Sequence, residues 1–179
     1  MNNGKIIYLN GVTSTGKTTL SKAIQQKANE NFYHLSNDMF QPMISEKYLQ
    51  INYWKFLSEA IIALYYTAKV LSDMNINVVI DGMLLEEPEF QSNFHQSHYE
   101  KMKSIFADTP MLMVDVYCPL DECRRRNIER GDRKIDQSDL QNNHMAKNIN
   151  YDFSVDTYLN SPDRCAELIL NKLYNSHTI

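Results

Sequence analysis

Lys5-Ile6-Ile7-Tyr8-Leu9-Asn10-Gly11-Val12-Thr13-Ser14-Thr15-Gly16-Lys17-Thr18-Thr19 is the stretch on which the fold turns. Lys5 to Asn10 has the β-branched and aromatic content of a short buried strand. It runs into Gly-x-x-x-x-Gly-Lys-Thr, and a helical pattern follows, with Leu20, Ala23 and Ile24 at helical spacing. Strand, glycine-rich turn and helix in that order form the context that a phosphate-binding P-loop requires. The N–H groups of Gly11, Val12, Thr13, Ser14, Thr15, Gly16, Lys17, Thr18 and Thr19 are then candidates to cradle a polyphosphate. Glycine permits the necessary turn, and the helix adds unpaired N–H groups and the positive end of its dipole. The Lys17 ammonium would reach the β- and γ-phosphates of ATP, and the Thr18 hydroxyl would coordinate Mg²⁺.

Working outward, the same alternation continues. Phe32–Ser36 reads as a second strand ending at Asn37-Asp38, and Tyr53–Met74 as a long helix burying Phe56, Leu57, Ala60, Ile61, Leu64 and Ala68. Ile76–Ile80 is an unalternating apolar run closed by Asp81-Gly82, as expected of a strand covered on both faces. Pro88 opens a helix through Phe94, His98, Met102 and Phe106. Met111–Cys118 is a strand, Pro119 introduces a helix over Leu120–Arg130, Phe153–Asp156 is a short last strand, and Pro162–Tyr174 a terminal amphipathic helix. These elements predict an α/β P-loop NTPase, a nucleotide-kinase-like three-layer fold with a five-stranded parallel sheet and a helical lid. One domain over residues 1–179 is expected, with the lid near 131–150 and an acceptor-binding region near 38–75.

Composition bounds the remaining choices. Apolar residues make up 43% and charged residues 22% of the chain, which places it among globular proteins. No run approaches the roughly 20 apolar residues that span a bilayer. Lys5 and the glycine-rich turn fall where a signal peptide would need its apolar core. Cys118, Cys123 and Cys165 form no Cys-x-x-Cys pair, which argues for reduced thiols, a cytoplasmic setting, and neither zinc nor a disulfide framework. A net charge of −4 speaks against a dedicated nucleic-acid binder. The expected partner is a small-molecule hydroxyl acceptor, with no nucleic acid and no membrane.

Arginine is absent from residues 1–123, yet five fall within 124–133. Arg126 and Arg130 lie one helical turn apart, Gly131 ends their helix, and Arg133 follows on the polar segment. A solvated helix face is the plain reading. With a polyphosphate nearby, the forked guanidinium can instead stack on adenine or grip phosphate. An arginine on the transferring group is worth about 10³ to 10⁵ in rate in related NTPases. The polar stretch after Gly131 then reads as a mobile lid.

Two aspartates stand at the carboxyl ends of strands. Asp81 is either an acid that holds Mg²⁺ or a helix N-cap, and Asp38 either the group that takes a proton from an attacking hydroxyl or the cap of the next helix. His95 and His98 share a helix without a second metal-ligating cluster and read as a half-exposed face. Tyr53, Trp54, Phe56, Tyr65 and Tyr66 either line a pocket or belong to the core.

Taken together, these blocks resemble the chloramphenicol phosphotransferase-like family of P-loop kinases. The matching pieces are Asn10-Gly11 through Thr18, Asp38 after the second strand, Val79-Ile80-Asp81, Cys118 leading to Arg126 through Arg133, Tyr151-Asp152, and Val155-Asp156-Thr157. The resemblance implies transfer of the ATP γ-phosphoryl group to a hydroxyl of a small molecule. It gives Asp38 the role of catalytic base, Lys17 and Thr18 those of phosphate and Mg²⁺ ligands, and Arg133 that of the lid arginine. Residues 39–75, where the family carries its acceptor pocket, show no match. Two alternatives stand beside this reading. One is a nucleoside or nucleotide kinase; a nucleoside-monophosphate kinase usually needs arginine at the acceptor phosphate, and none occurs before residue 124. The other is a non-catalytic nucleotide-binding switch; a guanine-specific one would carry Asn-Lys-x-Asp, whereas the one Asn-Lys here, Asn171-Lys172, continues Leu-Tyr.

Overall fold

The structure, a computed structural model, describes residues 3–86 and 97–175. Five parallel strands run β1 (Ile6–Asn10), β2 (Phe32–Ser36), β3 (Asn77–Gly82), β4 (Met111–Tyr117) and β5 (Phe153–Asp156) along the chain. Across the sheet their order is β2-β3-β1-β4-β5. The helices are α1 (Lys17–Lys27), α2 (Asn37–Phe40), α3 (Glu46–Ile51), α4 (Tyr53–Asp73), α5 (His98–Ile105), α6 (Leu120–Arg130), α7 (Gln137–His144) and α8 (Pro162–Asn175), with a 3-10 turn at Gln41–Met43.

Side-chain alternation in the strands divides the core into two layers. Ile6 and Tyr8 of β1 join Val78, Ile80 and Met113 on one face, where Ile61, Leu64, Tyr65 and Ala68 of α4 and Met102 of α5 cover them. Ile7 and Leu9 point the other way with Val79, Leu112 and Val114, beneath Leu20 and Ile24 of α1 and Cys165, Ile169 and Leu173 of α8. Every residue of β1 is buried, as a central parallel strand requires.

The register brings three strand ends to one level, since Leu9 and Ser36 both align with Asp81, and Asn10 with Gly82. All three loops that follow therefore open on the same edge. Several expectations are adjusted here. The Tyr53–Met74 helix ends at Asp73, and β3 begins at Asn77 and includes Asp81 and Gly82, so Asp81 is not a helix cap. Asp38 is the second residue of α2, whose N-cap position belongs to Ser36. The helix read from Pro88 is seen from His98 onward, with Ser97 and Glu100 forming a capping box. His95 lies outside the described residues. His98, expected on a half-exposed face, is buried against Ser58 at 3.0 Å. The three cysteines are buried and unpaired. Among the described residues no helix is long and apolar enough to cross a membrane.

Candidate active site

Gly11 to Gly16 turn sharply between β1 and α1. A Cβ at Gly11 would stand 2.7 Å from the Val116 carbonyl oxygen, so only glycine lets the turn lie against β4. Gly16 occupies the N-cap of α1 at φ 91°, and Ser14 takes φ 62°, a left-handed position the sequence pattern did not single out. Lys17 Nζ donates to the Val12 carbonyl at 2.8 Å, which folds the ammonium back over the loop, and lies 3.8 Å from Asp81. Burial pulls the Lys17 ammonium below its ordinary range, opposed by Asp81 and Asp38.

Thr18 Oγ1 donates to Asp81 Oδ2 at 2.6 Å, joining the first turn of α1 to the end of β3. Burial pushes the Asp81 carboxyl up, but His34, Lys17 and Thr18 together bring it below its usual range. His34 Nε2 is 3.8 Å away, beyond hydrogen-bond length, so its influence is electrostatic. Thr18 and Asp81 give two adjacent hard oxygens. Among the described residues no cluster of three His, Cys, Asp or Glu forms a closed metal cage.

The arginine island separates into distinct jobs. Arg124 bridges α6 to Asp139 of α7 at 2.5 Å, and Arg125 pairs with Glu122 and Glu129 on the solvent side. Arg126 is held by Glu122 at 2.8 Å and donates to the Thr157 and Ser14 carbonyls at 3.1 and 3.3 Å. Arg125 and Arg126 hold the Glu122 carboxyl down at about 2. Arg130 pairs with Asp132 in the open, while Arg133 reaches across to Asp38 at 2.8 Å.

The segment read as a lid is docked on the P-loop. Thr13 N–H donates to Gln141 Oε1 at 2.6 Å, so that amide faces α7 rather than open space. Ser14 Oγ donates to Asn127 Oδ1 at 2.6 Å, and Asn127 Nδ2 donates to Ser138 Oγ at 2.8 Å. Leu85 and Met145 pair in an antiparallel bridge, tying the far end of this segment to the chain after β3. Asn10 completes the frame, accepting from Leu84 N–H at 2.8 Å and donating to the Tyr151 hydroxyl at 2.6 Å. Gln141, Asn127 and Ser138 escaped the sequence reading. An uncharged asparagine amid the arginines of α6 was the one available signal.

These parts enclose one cleft of about 660 Å³. Gly11, Thr13, Ser14, Gly16 to Thr19, Arg126 and Arg130 line it together with Asn37, Asp38, Gln41, Tyr53, Leu57, Leu85 and Arg133. Asp38, Lys17 and Arg133 are thus brought together, whereas Arg130 stays at the rim, paired with Asp132. Of the aromatic set Tyr53 lines the cleft, Tyr65 is core and Tyr66 is exposed.

A protein of Mycobacterium tuberculosis named "Putative O-phosphotransferase" is 25% identical over 181 residues, covering 88% of this chain and 76% of its own. The APS kinase of the same organism, solved with AMPPNP and APS, superposes with a TM-score of 0.66 at 17% identity, over 97% of this chain and 99% of its own. Shikimate kinase from Acinetobacter baumannii in complex with shikimate gives 0.65 at 11% identity, over 99% and 97%. Those two likenesses establish the fold alone. The model of the chloramphenicol phosphotransferase-like family matches residues 4–174, all five strands of the sheet and both helical layers, and the chain belongs to that family of phosphotransferase enzymes.

Proposed function

We propose that the protein transfers the γ-phosphoryl group of ATP to a hydroxyl of a small neutral molecule, a hydroxylated antibiotic or related metabolite. One observation carries this reading: the P-loop and Asp38 open into the same cleft. The P-loop amides and Lys17 would bind the phosphates, and Arg126, fixed between Glu122 and Thr157, would flank the base. Thr18 and Asp81 fit Mg²⁺, which keeps most of its waters and offsets charge on the phosphates when bound.

Asp38 orients the acceptor hydroxyl and takes its proton late, since a loose transition state needs little help from a base. Arg133 would exchange Asp38 for the transferring phosphoryl group. Lid contacts through Gln141, Ser138 and Asn127 keep water out. No arginine precedes residue 124 and Arg133 is already paired by Asp38, which favours an uncharged acceptor over a nucleotide. Asp38→Asn is expected to leave ATP affinity nearly intact and slow transfer at least tenfold, by about 1.4 kcal/mol or more. Wild-type turnover in that variant would remove Asp38 from the mechanism.

A further inference from the structure

Thr13 of the P-loop is held by α7 at both ends. Ser138 Oγ donates to its carbonyl at 3.3 Å, and its N–H donates to Gln141 Oε1 at 2.6 Å. From the other direction Lys17 Nζ donates to the Val12 carbonyl at 2.8 Å. The Val12 carbonyl and the Thr13 N–H belong to one peptide unit and point opposite ways across it. Lys17 and Gln141 therefore grip a single peptide of the loop from its two sides, and both line the cleft.

This contact decides which way the Gln141 amide faces. A backbone N–H can only donate, so the side-chain oxygen meets Thr13 and the NH2 group turns away from it. That group carries two donors and has no hydrogen-bond partner among the described residues. Nor is it shut off from solvent, since Gln141 is half-buried and its Nε2 is not among the sealed polar atoms. Gln137 and Gln141 are the residues of α7 that line the cleft, so the face this helix turns towards the loop is uncharged.

We propose, resting on the phosphotransfer reading above, that Gln141 is a ligand of the γ-phosphoryl group: Nε2 donates to one of its oxygens while Oε1 stays on Thr13. In that reaction the bond from the acceptor oxygen to the γ-phosphorus forms as the bond to the bridging oxygen breaks. The electron pair leaves on ADP, and the hydroxyl proton goes to Asp38. Gln141 exchanges no proton. It supplies a neutral donor across the peptide from the Lys17 charge, already seated before charge shifts on the phosphate. Such a contact exists only where a third phosphate is present, so Gln141 also tells ATP from ADP.

The test titrates the whole chain with Mg·ADP and with Mg·AMPPNP, which keeps the third phosphate, and needs no acceptor. Gln141→Glu keeps an oxygen for the Thr13 N–H and loses the donor, while Gln141→Met loses both without adding charge. In each variant the Kd for Mg·AMPPNP relative to that for Mg·ADP should rise about 10-fold, the worth of a hydrogen bond to a charged oxygen. Equal weakening of both nucleotides would mean that Gln141 only docks α7 on the loop, and overturns the proposal. So does an unchanged ratio in Gln141→Met, because a rise confined to Gln141→Glu reports the added charge. Either result spares the phosphotransfer reading, whereas an unsubstituted chain that binds neither nucleotide overturns that reading itself.

Discussion

A Cβ added at Gly82 would stand 2.7 Å from the Tyr8 hydroxyl and 3.0 Å from its ring carbon. Tyr8 is fully buried and bonded to Tyr65 at 3.0 Å, so its ring has nowhere to swing. Gly82→Ala is therefore expected to cost about 1–3 kcal/mol, read as a lower urea midpoint at an unchanged slope. The position adjoins Asp81, so one absent methyl group serves core and site together. At this scale the sequence was legible wherever a residue type carries a fixed spacing. Lys17, Thr18 and Asp81 meet because the motif puts the first two on the first turn of α1 and parallel register brings the third alongside. His34, Asn127 and Gln141 belong to no spacing rule. Their significance arises only from what stands opposite them across the chain.

Helices and strands were read most easily where apolar periodicity or a breaker marks the ends. β2, β5 and α6 fall where expected, the last because Pro119 precedes it and Gly131 closes it at φ 69°. The segment after Gly131 resisted, since a helix that docks through polar side chains leaves no apolar stripe, and α7 buries only Ser138. Asn127 joins the P-loop, α6 and α7 through Ser14, Ser138 and the Ile135 carbonyl. Asn127→Ala should cost about 1–3 kcal/mol in thermal unfolding and raise KM for ATP, and an unchanged KM would uncouple this lid contact from nucleotide binding. The contact of α4 with α5 makes a pH prediction. Burial holds the His98 imidazole down at about 4, below the ordinary 6.5 that it regains on unfolding. The folded chain thus refuses a proton that the unfolded chain accepts. The stability from keeping His98 neutral is full above pH 6.5 and is lost as pH falls towards 4, by up to about 3 kcal/mol. Urea unfolding at pH 7.5 and pH 5 should show a gap that shrinks in His98→Gln, and an undiminished gap would clear His98 as its source.

The two layers of the molecule share one sheet, and each strand of its centre contributes to both. We propose that they unfold as one domain. Ile169→Ala, in the α8 layer, should cost about 2–5 kcal/mol. The single tryptophan, Trp54, packs against the opposite layer. Its fluorescence should follow the same transition as far-UV circular dichroism in that variant, whereas two separated transitions would show layers that melt independently. The parallel alternation made the architecture readable before any side chain was placed. The strand order was not readable, because it depends on which apolar runs pair across long connections. The salt link between Arg133 and Asp38 has a consequence for economy. With no alcohol present, the oxygen that would steer a nucleophile is already clasped, so a stray water finds no guide to the phosphate. In the proposed reaction an acceptor must displace that guanidinium before anything is spent, and idle enzyme keeps its fuel.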